Sequence, residues 1–118
     1  MGRSPLAYDE NLADIATIRA GEASILWSHT RPNGERGVSM IDPHKWRGEN
    51  LSYVVCSYYD GSDAVQEQAA GIMFTNLCNS PSHLENMTFG SYTKVGIATA
   101  VSVVNGQTKL TTAYMFSN

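Results

Sequence analysis

Apolar positions in the first third of the chain recur at helical spacing. Leu12, Ile15, Ala16, Ala20, Ala23, Leu26 and Trp27 fall near i, i+3, i+4 intervals, the stripe that an amphipathic helix buries along one broad face. Asp9 stands just ahead of them as a candidate N-cap, where a carboxylate can accept from the unsatisfied N–H groups of the first turn. Ile18 and Ile25 lie off the stripe, which predicts contact with a second layer as well as with the main core. The period stops at Ser28. Arg31-Pro32-Asn33-Gly34 then places proline second in a turn and follows it with residues tolerant of positive φ, so the backbone must reverse just beyond His29.

From Glu35 to Arg47 no period is sustained, and the stretch reads as a shaped loop with a short helical turn over Ser39 to Asp42, ahead of Pro43. Leu51 to Tyr59 is rich in β-branched and aromatic residues, which predicts a strand bounded by Gly48 and Asp60-Gly61. Asp63 with Gln66 resembles a capping box and opens a second helix, in which Val65, Ala69, Ile72, Met73 and Leu77 share a face. Gly71 costs that helix about 1 kcal/mol relative to alanine, unless close packing against another backbone compensates. Ser80-Pro81 ends it and starts a short third helix. The period then changes: Val95 to Val104 and Thr108 to Phe116 flank Asn105-Gly106, the preferred two-residue hairpin turn, because both central positions need positive φ. Helices first and a hairpin last give an α+β fold with an antiparallel sheet.

The 118 residues are one domain's worth of chain, and 42% hydrophobic with 16% charged residues is an ordinary globular composition. The formal charge is −3, with the basic residues scattered singly from Arg3 to Lys109. Without a basic stripe, nucleic acid is not an expected partner. The longest apolar runs, such as Val101 to Val104, fall far short of the roughly 20 residues that cross a bilayer. The first residues lack the apolar stretch of a secretory signal. Two cysteines, Cys56 and Cys78, allow one disulfide at most and do not fix the redox compartment.

Candidate chemistry is sparse. There is no Gly-rich phosphate loop, CxxC, HExxH or Gly-x-Ser-x-Gly elbow. What stands out is a set of polar residues in unusual backbone contexts: His29 before a forced turn, Glu49 in Gly48-Glu49-Asn50 at a strand entrance, and His83 three residues after Ser80. With Ser80 as N-cap and Pro81 at N1, His83 sits at N3. There the helix dipole disfavours imidazolium and biases the ring towards the neutral form that binds a metal or accepts a proton. Hydrogen bonding at element ends is the commoner role for such residues, and spacing alone does not choose between the two. His44, in Asp42-Pro43-His44-Lys45, reads as a solvated loop residue.

Four segments taken in order resemble the CAP superfamily of cysteine-rich secretory proteins, antigen 5 and pathogenesis-related type 1 proteins, in its short bacterial SCP-like form. They are Trp27-Ser28-His29-Thr30-Arg31-Pro32-Asn33-Gly34, Gly48-Glu49-Asn50-Leu51, Asn79-Ser80-Pro81-Ser82-His83-Leu84-Glu85-Asn86-Met87 and Val95-Gly96-Ile97-Ala98. The resemblance runs over nearly the whole chain. It implies a three-layer α-β-α sandwich around a central antiparallel sheet, and an extracellular domain, secreted or at the cell surface, trimmed from a longer exported protein whose signal lies outside this chain. It also implies an open cleft with a cation-binding tetrad of two histidines and two acids, matched here at His29, Glu49 and His83. The fourth position has no acid in Asn76-Leu77-Cys78-Asn79-Ser80, and Glu67 and Glu85 are the acids left to fill it if geometry permits. Two imidazoles, one carboxylate and water suit zinc, whereas harder cations want more oxygen ligands. No organic cofactor is implied, and Cys56 and Cys78 are expected as buried thiols or a pair.

Three functions follow. The leading expectation is a secreted binding domain with a divalent-cation cleft, taking a lipid, peptide or protein ligand on groove walls around Trp27, Trp46 or Tyr53 to Tyr59. Trp27 is nonetheless expected to pack mainly in the core. The alternative is a metal-dependent, peptidase-like hydrolase in which His29, Glu49 and His83 are the catalytic candidates and Glu49 or a metal-bound water is the base. The third makes the polar set a hydrogen-bond network that fixes the loops to the sandwich.

Overall fold

A computed structural model describes residues 6–56 and 62–118, without the side chains of residues 63–66. The Pro5 turn, Tyr58, Tyr59, the Asp60-Gly61 boundary and the side chains of Asp63, Val65 and Gln66 lie outside the described residues.

Asp9 caps the first helix as its position predicts: the carboxylate accepts from the Leu12 N–H at 2.9 Å. The helix, α1 (Glu10–Ile25), follows a two-residue strand, β1 (Ala7–Tyr8). It buries Leu12, Ile15, Ala16, Ala20 and Ala23. The loop beyond it reverses through Arg31 to Gly34, where the Gly34 N–H donates to the Arg31 carbonyl at 2.9 Å. The helical turn in the following loop is a 3-10 turn, Gly37–Met40, slightly earlier than expected. Strand β2 (Arg47–Cys56) begins at Arg47 rather than Leu51, so Gly48, Glu49 and Asn50 lie inside the sheet. Helices α2 (Asp63–Cys78) and α3 (Pro81–Thr88) come next, followed by β3 (Lys94–Val104) and β4 (Gln107–Ser117). Between those strands Asn105 and Gly106 take φ of 53° and 78°, as a type I′ turn requires.

Among the described residues the sheet has four strands in the order β1-β3-β4-β2. β1 runs parallel to β3 through only two pairs, Ala7 with Lys94 and Tyr8 with Val95. β2 and β3 both run antiparallel to β4 along its length. Helix α1 packs on one face, burying its stripe against Val38, Ile41, Leu51, Ala113 and Met115. Close approach of α1 to the sheet needs Gly96, where a Cβ would collide with the α1 backbone at Leu12 and Ala13. The opposite face packs Leu77, Tyr92, Tyr114 and Phe116 at one end and Ala69, Met73 and Leu110 at the other. Helices on both sides of the sheet make the three-layer α-β-α sandwich.

Some expectations are corrected. Ile18 and Ile25 meet no second layer and are 48% and 86% exposed, because α1 is itself the outer layer. Leu26 and Trp27 lie past the helix end and are also exposed. Trp27 sits edge-on to Tyr53 at 4.8 Å rather than in the core. In α2 the buried face is Ala69, Met73 and Leu77, while Ile72 is exposed. A Cβ at Gly71 would touch nothing within 4 Å, so no close packing offsets its cost to the helix. Cys56 and Cys78 are free thiols, half-buried rather than buried.

Candidate functional site

The site starts from a residue that apolar periodicity passes over. Arg19 stands in the buried stripe of α1, four residues after Ile15, and its side chain is fully buried. A guanidinium taken out of water needs charged and hydrogen-bonding partners, and it has them. Nε donates to Glu49 Oε2 at 2.6 Å and Nη2 to Glu49 Oε1 at 3.0 Å, the two-pronged geometry that suits guanidinium and carboxylate. Nη2 also donates to the Ser28 carbonyl at 2.8 Å, and Nη1 to Glu22 Oε1 at 3.0 Å. Glu22 in turn accepts from Arg31, which ties the loop after α1 to the helix.

Glu49 reaches this network because β2 starts early: its side chain projects from the strand onto the α1 face, where it is 3% exposed. Burial alone would push its carboxyl up, but hydrogen bonds from His29 and Arg19 outweigh that and hold it below the usual carboxylate range. Glu22 is lowered as well, first by its hydrogen bond from Arg31 and then by Arg19, against burial. His29 stands 2.8 Å from Glu49 Oε1 through Nδ1, with the ring 64% exposed.

The second histidine approaches from the other face of the sheet. Pro81 takes the first helical position of α3, as predicted, and Ser80 is the N-cap by backbone conformation. The Ser80 hydroxyl makes no cap bond. It lies instead 2.8 Å from His83 Nδ1. Two asparagines fasten α3 to β2: Asn50 Nδ2 donates to the His83 carbonyl at 3.0 Å, and Asn86 Nδ2 donates to Asn50 Oδ1 at 3.0 Å and to the Glu49 carbonyl at 3.3 Å. The Tyr92 hydroxyl donates to the Arg47 carbonyl at 2.8 Å. Burial lowers the pKa of His83, and the proximity of His29 adds to the effect.

His29, Arg36, Gly37, Glu49, Asn86 and Tyr92 line an open cavity of about 290 Å³ along the β2 edge. Of the three candidate ligands, His29 and Glu49 are in direct contact and line the cavity, whereas His83 stands on α3 outside its lining. Both Glu49 oxygens accept from Arg19. Among the described residues no group of three or more His, Cys, Asp or Glu side chains is placed to hold a metal ion. Neither Glu67 nor Glu85 supplies a fourth ligand: Glu67 lines a separate groove beside α2, and Glu85 is exposed on α3. Each imidazole is engaged through Nδ1, His29 with Glu49 and His83 with Ser80, and neither Nε2 takes part in a hydrogen bond among the described residues. His44 is a solvent-exposed loop residue, as expected. Trp46 is 57% exposed and meets Phe89 edge-on at 5.3 Å.

Sequence reasoning missed Arg19, Glu22 and Arg31. The available signal was a single arginine inside an otherwise apolar stripe, which announces a buried acid elsewhere in the chain.

No curated protein matches the chain. Among solved structures it resembles an outer surface protein of Borrelia burgdorferi, with 17% identity and a TM-score of 0.64 over 98% of this chain and 78% of that one. A crystal structure of NaASP2 with Zn2+ is similar at 20% identity and a TM-score of 0.49, over 92% of this chain and 58% of that one. The first likeness shows a shared fold. At the sequence level, the profile of the CAP group, described as the cysteine-rich secretory protein family, matches residues 1–114. The ordered motifs around His29, Glu49 and His83 and nearly all of the sandwich lie within that match, and the chain belongs to the cysteine-rich secretory protein family.

Proposed function

We propose that this chain is an extracellular binding domain, not a hydrolase, which presents the cleft along β2 to a peptide or protein partner and takes up a divalent cation there. The carrying observation is the state of Glu49. A general base needs a free lone pair and a pKa near the working pH. Glu49 has three of its roughly four acceptor sites taken, both oxygens by Arg19 and one also by His29, and its pKa is depressed, away from the working pH. It is suited to another task, fixing the His29 ring through Nδ1 and leaving Nε2 available, as carboxylates do behind metal-binding histidines. Ser80 does the same for His83.

His29 and His83 would therefore hold the cation, and zinc is the ion that two imidazoles and water suit best. Such an ion would supply a fixed positive charge in the cleft for a carboxylate or carbonyl of the partner. Burial lowers the pKa of His83 and so favours its neutral form, the form a metal requires. The exposed rings of Trp27, Trp46 and Tyr53 offer apolar contact nearby, of the kind that anchors peptide side chains. The family's description as secretory supports the extracellular assignment.

Calorimetric titration of metal-stripped protein with zinc at about pH 7.5, above the ordinary histidine range, tests the reading. Micromolar or tighter binding is expected, lost in His29→Ala and in His83→Ala. Glu49→Gln should weaken binding roughly 10–100-fold without abolishing it. Absence of zinc binding in the unaltered chain would remove the cation from the proposal. Metal-dependent hydrolysis of peptides or esters, lost on Glu49→Gln, would favour the hydrolase instead.

A further inference from the structure

The two outer strands of the sheet end differently, and the difference exposes a surface. Strand β3 is covered by β1 only at Lys94 and Val95, so its outer side is free of strand pairing from Gly96 to Val104 among the described residues. The two-residue turn fixes which groups are left open. Val104 closes the hairpin with Gln107, so the even-numbered residues of β3 exchange hydrogen bonds with β4 and the odd-numbered ones point outward. The bond from the Asp9 N–H to the Val95 carbonyl at 2.9 Å confirms that parity. Ile97, Thr99, Val101 and Val103 thus present their N–H and C=O groups outward.

Natural sheets blunt such edges with lysine, proline, bulges or covering loops. Here residues 95–104 read Val-Gly-Ile-Ala-Thr-Ala-Val-Ser-Val-Val, without charge or proline, and no bulge interrupts the register. Ile97, Val101 and Val103 are 42%, 56% and 75% exposed. The α1 flank above this edge is equally clear. Helical geometry places Arg19 and Glu22 towards β2 and turns Ala13, Thr17, Gly21 and Ser24 the opposite way. Thr17 and Ser24 direct their hydroxyls to their own helix, at the Ala13 and Gly21 carbonyls, and a Cβ at Gly21 would meet nothing within 4 Å. On this α1 flank the described residues Ala13, Thr17, Gly21 and Ser24 are all small, so the helix presents no bulky side chain to an approaching strand.

We propose that the 97–103 edge is a self-association site, pairing antiparallel with the same segment of a second copy of this chain about a twofold axis at Ala100. An antiparallel pairing centred there sets Ile97 opposite Val103 of the second copy and Thr99 opposite Val101 of the second copy. Each such pair exchanges two N–H···O bonds. All the opposed side chains are β-branched, the residues that pair best across strands. With no charge in the segment, like charges never meet, and the interface is self-complementary as a twofold contact requires. The result is one continuous sheet across two sandwiches, with both α1 helices on the same face.

Sedimentation velocity across a concentration series, together with amide hydrogen exchange at both ends of it, tests this. A concentration-dependent dimer is expected. The amides of Ile97, Thr99, Val101 and Val103 should be slow at high concentration and fast at low, while those of Ala98, Ala100 and Ser102 stay slow throughout. Val101→Pro removes an outward N–H without touching the hairpin ladder, and should weaken association roughly tenfold or more through two symmetry-related lost bonds. Val101→Lys, which keeps the backbone intact, should weaken it too. Three results would each overturn the proposal: a monomer at high micromolar concentration, outward amides that stay protected in the monomer, or a dimer unaffected by both substitutions. If Val101→Pro does not fold, the alternating exchange pattern and Val101→Lys decide alone.

Discussion

The β2 and β3 edges of one sheet contrast in how the chain treats them. Along β2, outward carbonyls are taken up by side chains of α3 and the loop after it: Asn86 on Glu49 and Tyr92 on Arg47. Its side chains enter a charged network of Arg19, Glu22, Glu49 and Arg31 on one face and an asparagine clasp to α3 on the other. Along β3, from Ile97 to Val103, the outward groups have no strand partner among the described residues, and Ile97, Val101 and Val103 are apolar and exposed. Backbone polar groups must be satisfied by something, so an edge closed from within and an edge left open imply different partners. The first suits a shaped polar cleft, the second another strand.

The largest effect is expected from breaking the closed edge at its centre. Arg19→Ala strands a buried carboxylate and should cost about 3–5 kcal/mol in urea unfolding. The double replacement Arg19→Met with Glu49→Leu should recover most of that loss, because two apolar groups carry no desolvation penalty. If Arg19→Ala costs less than about 1 kcal/mol, the network is not the anchor of this edge.

Acid should loosen the same edge next. Glu22 and Glu49 have folded pKa values below their ordinary value of 4.5. Their stabilisation is therefore fully present above that value and is lost as pH falls through the lower folded pKa. Unfolding midpoints measured from pH 7 down to pH 3 should drop at the acid end, and Glu22→Gln should flatten the drop.

His29→Ala sharpens the comparison by separating stability from binding. The ring is mostly exposed and holds one hydrogen bond, so its removal should cost no more than about 1 kcal/mol while abolishing zinc uptake in the titration. A loss of several kcal/mol would make it a structural strut. Smallest of all, Val101→Lys on the open edge should leave monomer stability within about 0.5 kcal/mol, measured by thermal melting at low concentration.

Local signals in the sequence were strong wherever a residue type has one dominant physical use. Asp9 as a cap, Pro81 opening α3 and Asn105-Gly106 as the hairpin turn each depend on neighbours a few positions away, and each stands where it was expected. The buried stripe of α1 was legible through its period, and so, by resemblance, were the sandwich and the family. Periodicity failed at the margins. Ile18 and Ile25 were read as meeting a second layer because apolar residues usually seek cover, yet the outer helix offers none.

What the tertiary structure alone decided was pairing at a distance. His29 and Glu49 were candidates from the start, but that Glu49 pairs with Arg19, 30 positions away, while it also meets His29 depends on how α1 crosses β2. Likewise the residues of β3 announced a strand, while only the strand order left its outer side open. The physical reason is common to both. Caps, turns and periods are set by sterics and hydrogen bonds within a few residues, whereas the fate of a buried charge or an edge carbonyl is set by whichever distant group folding brings beside it.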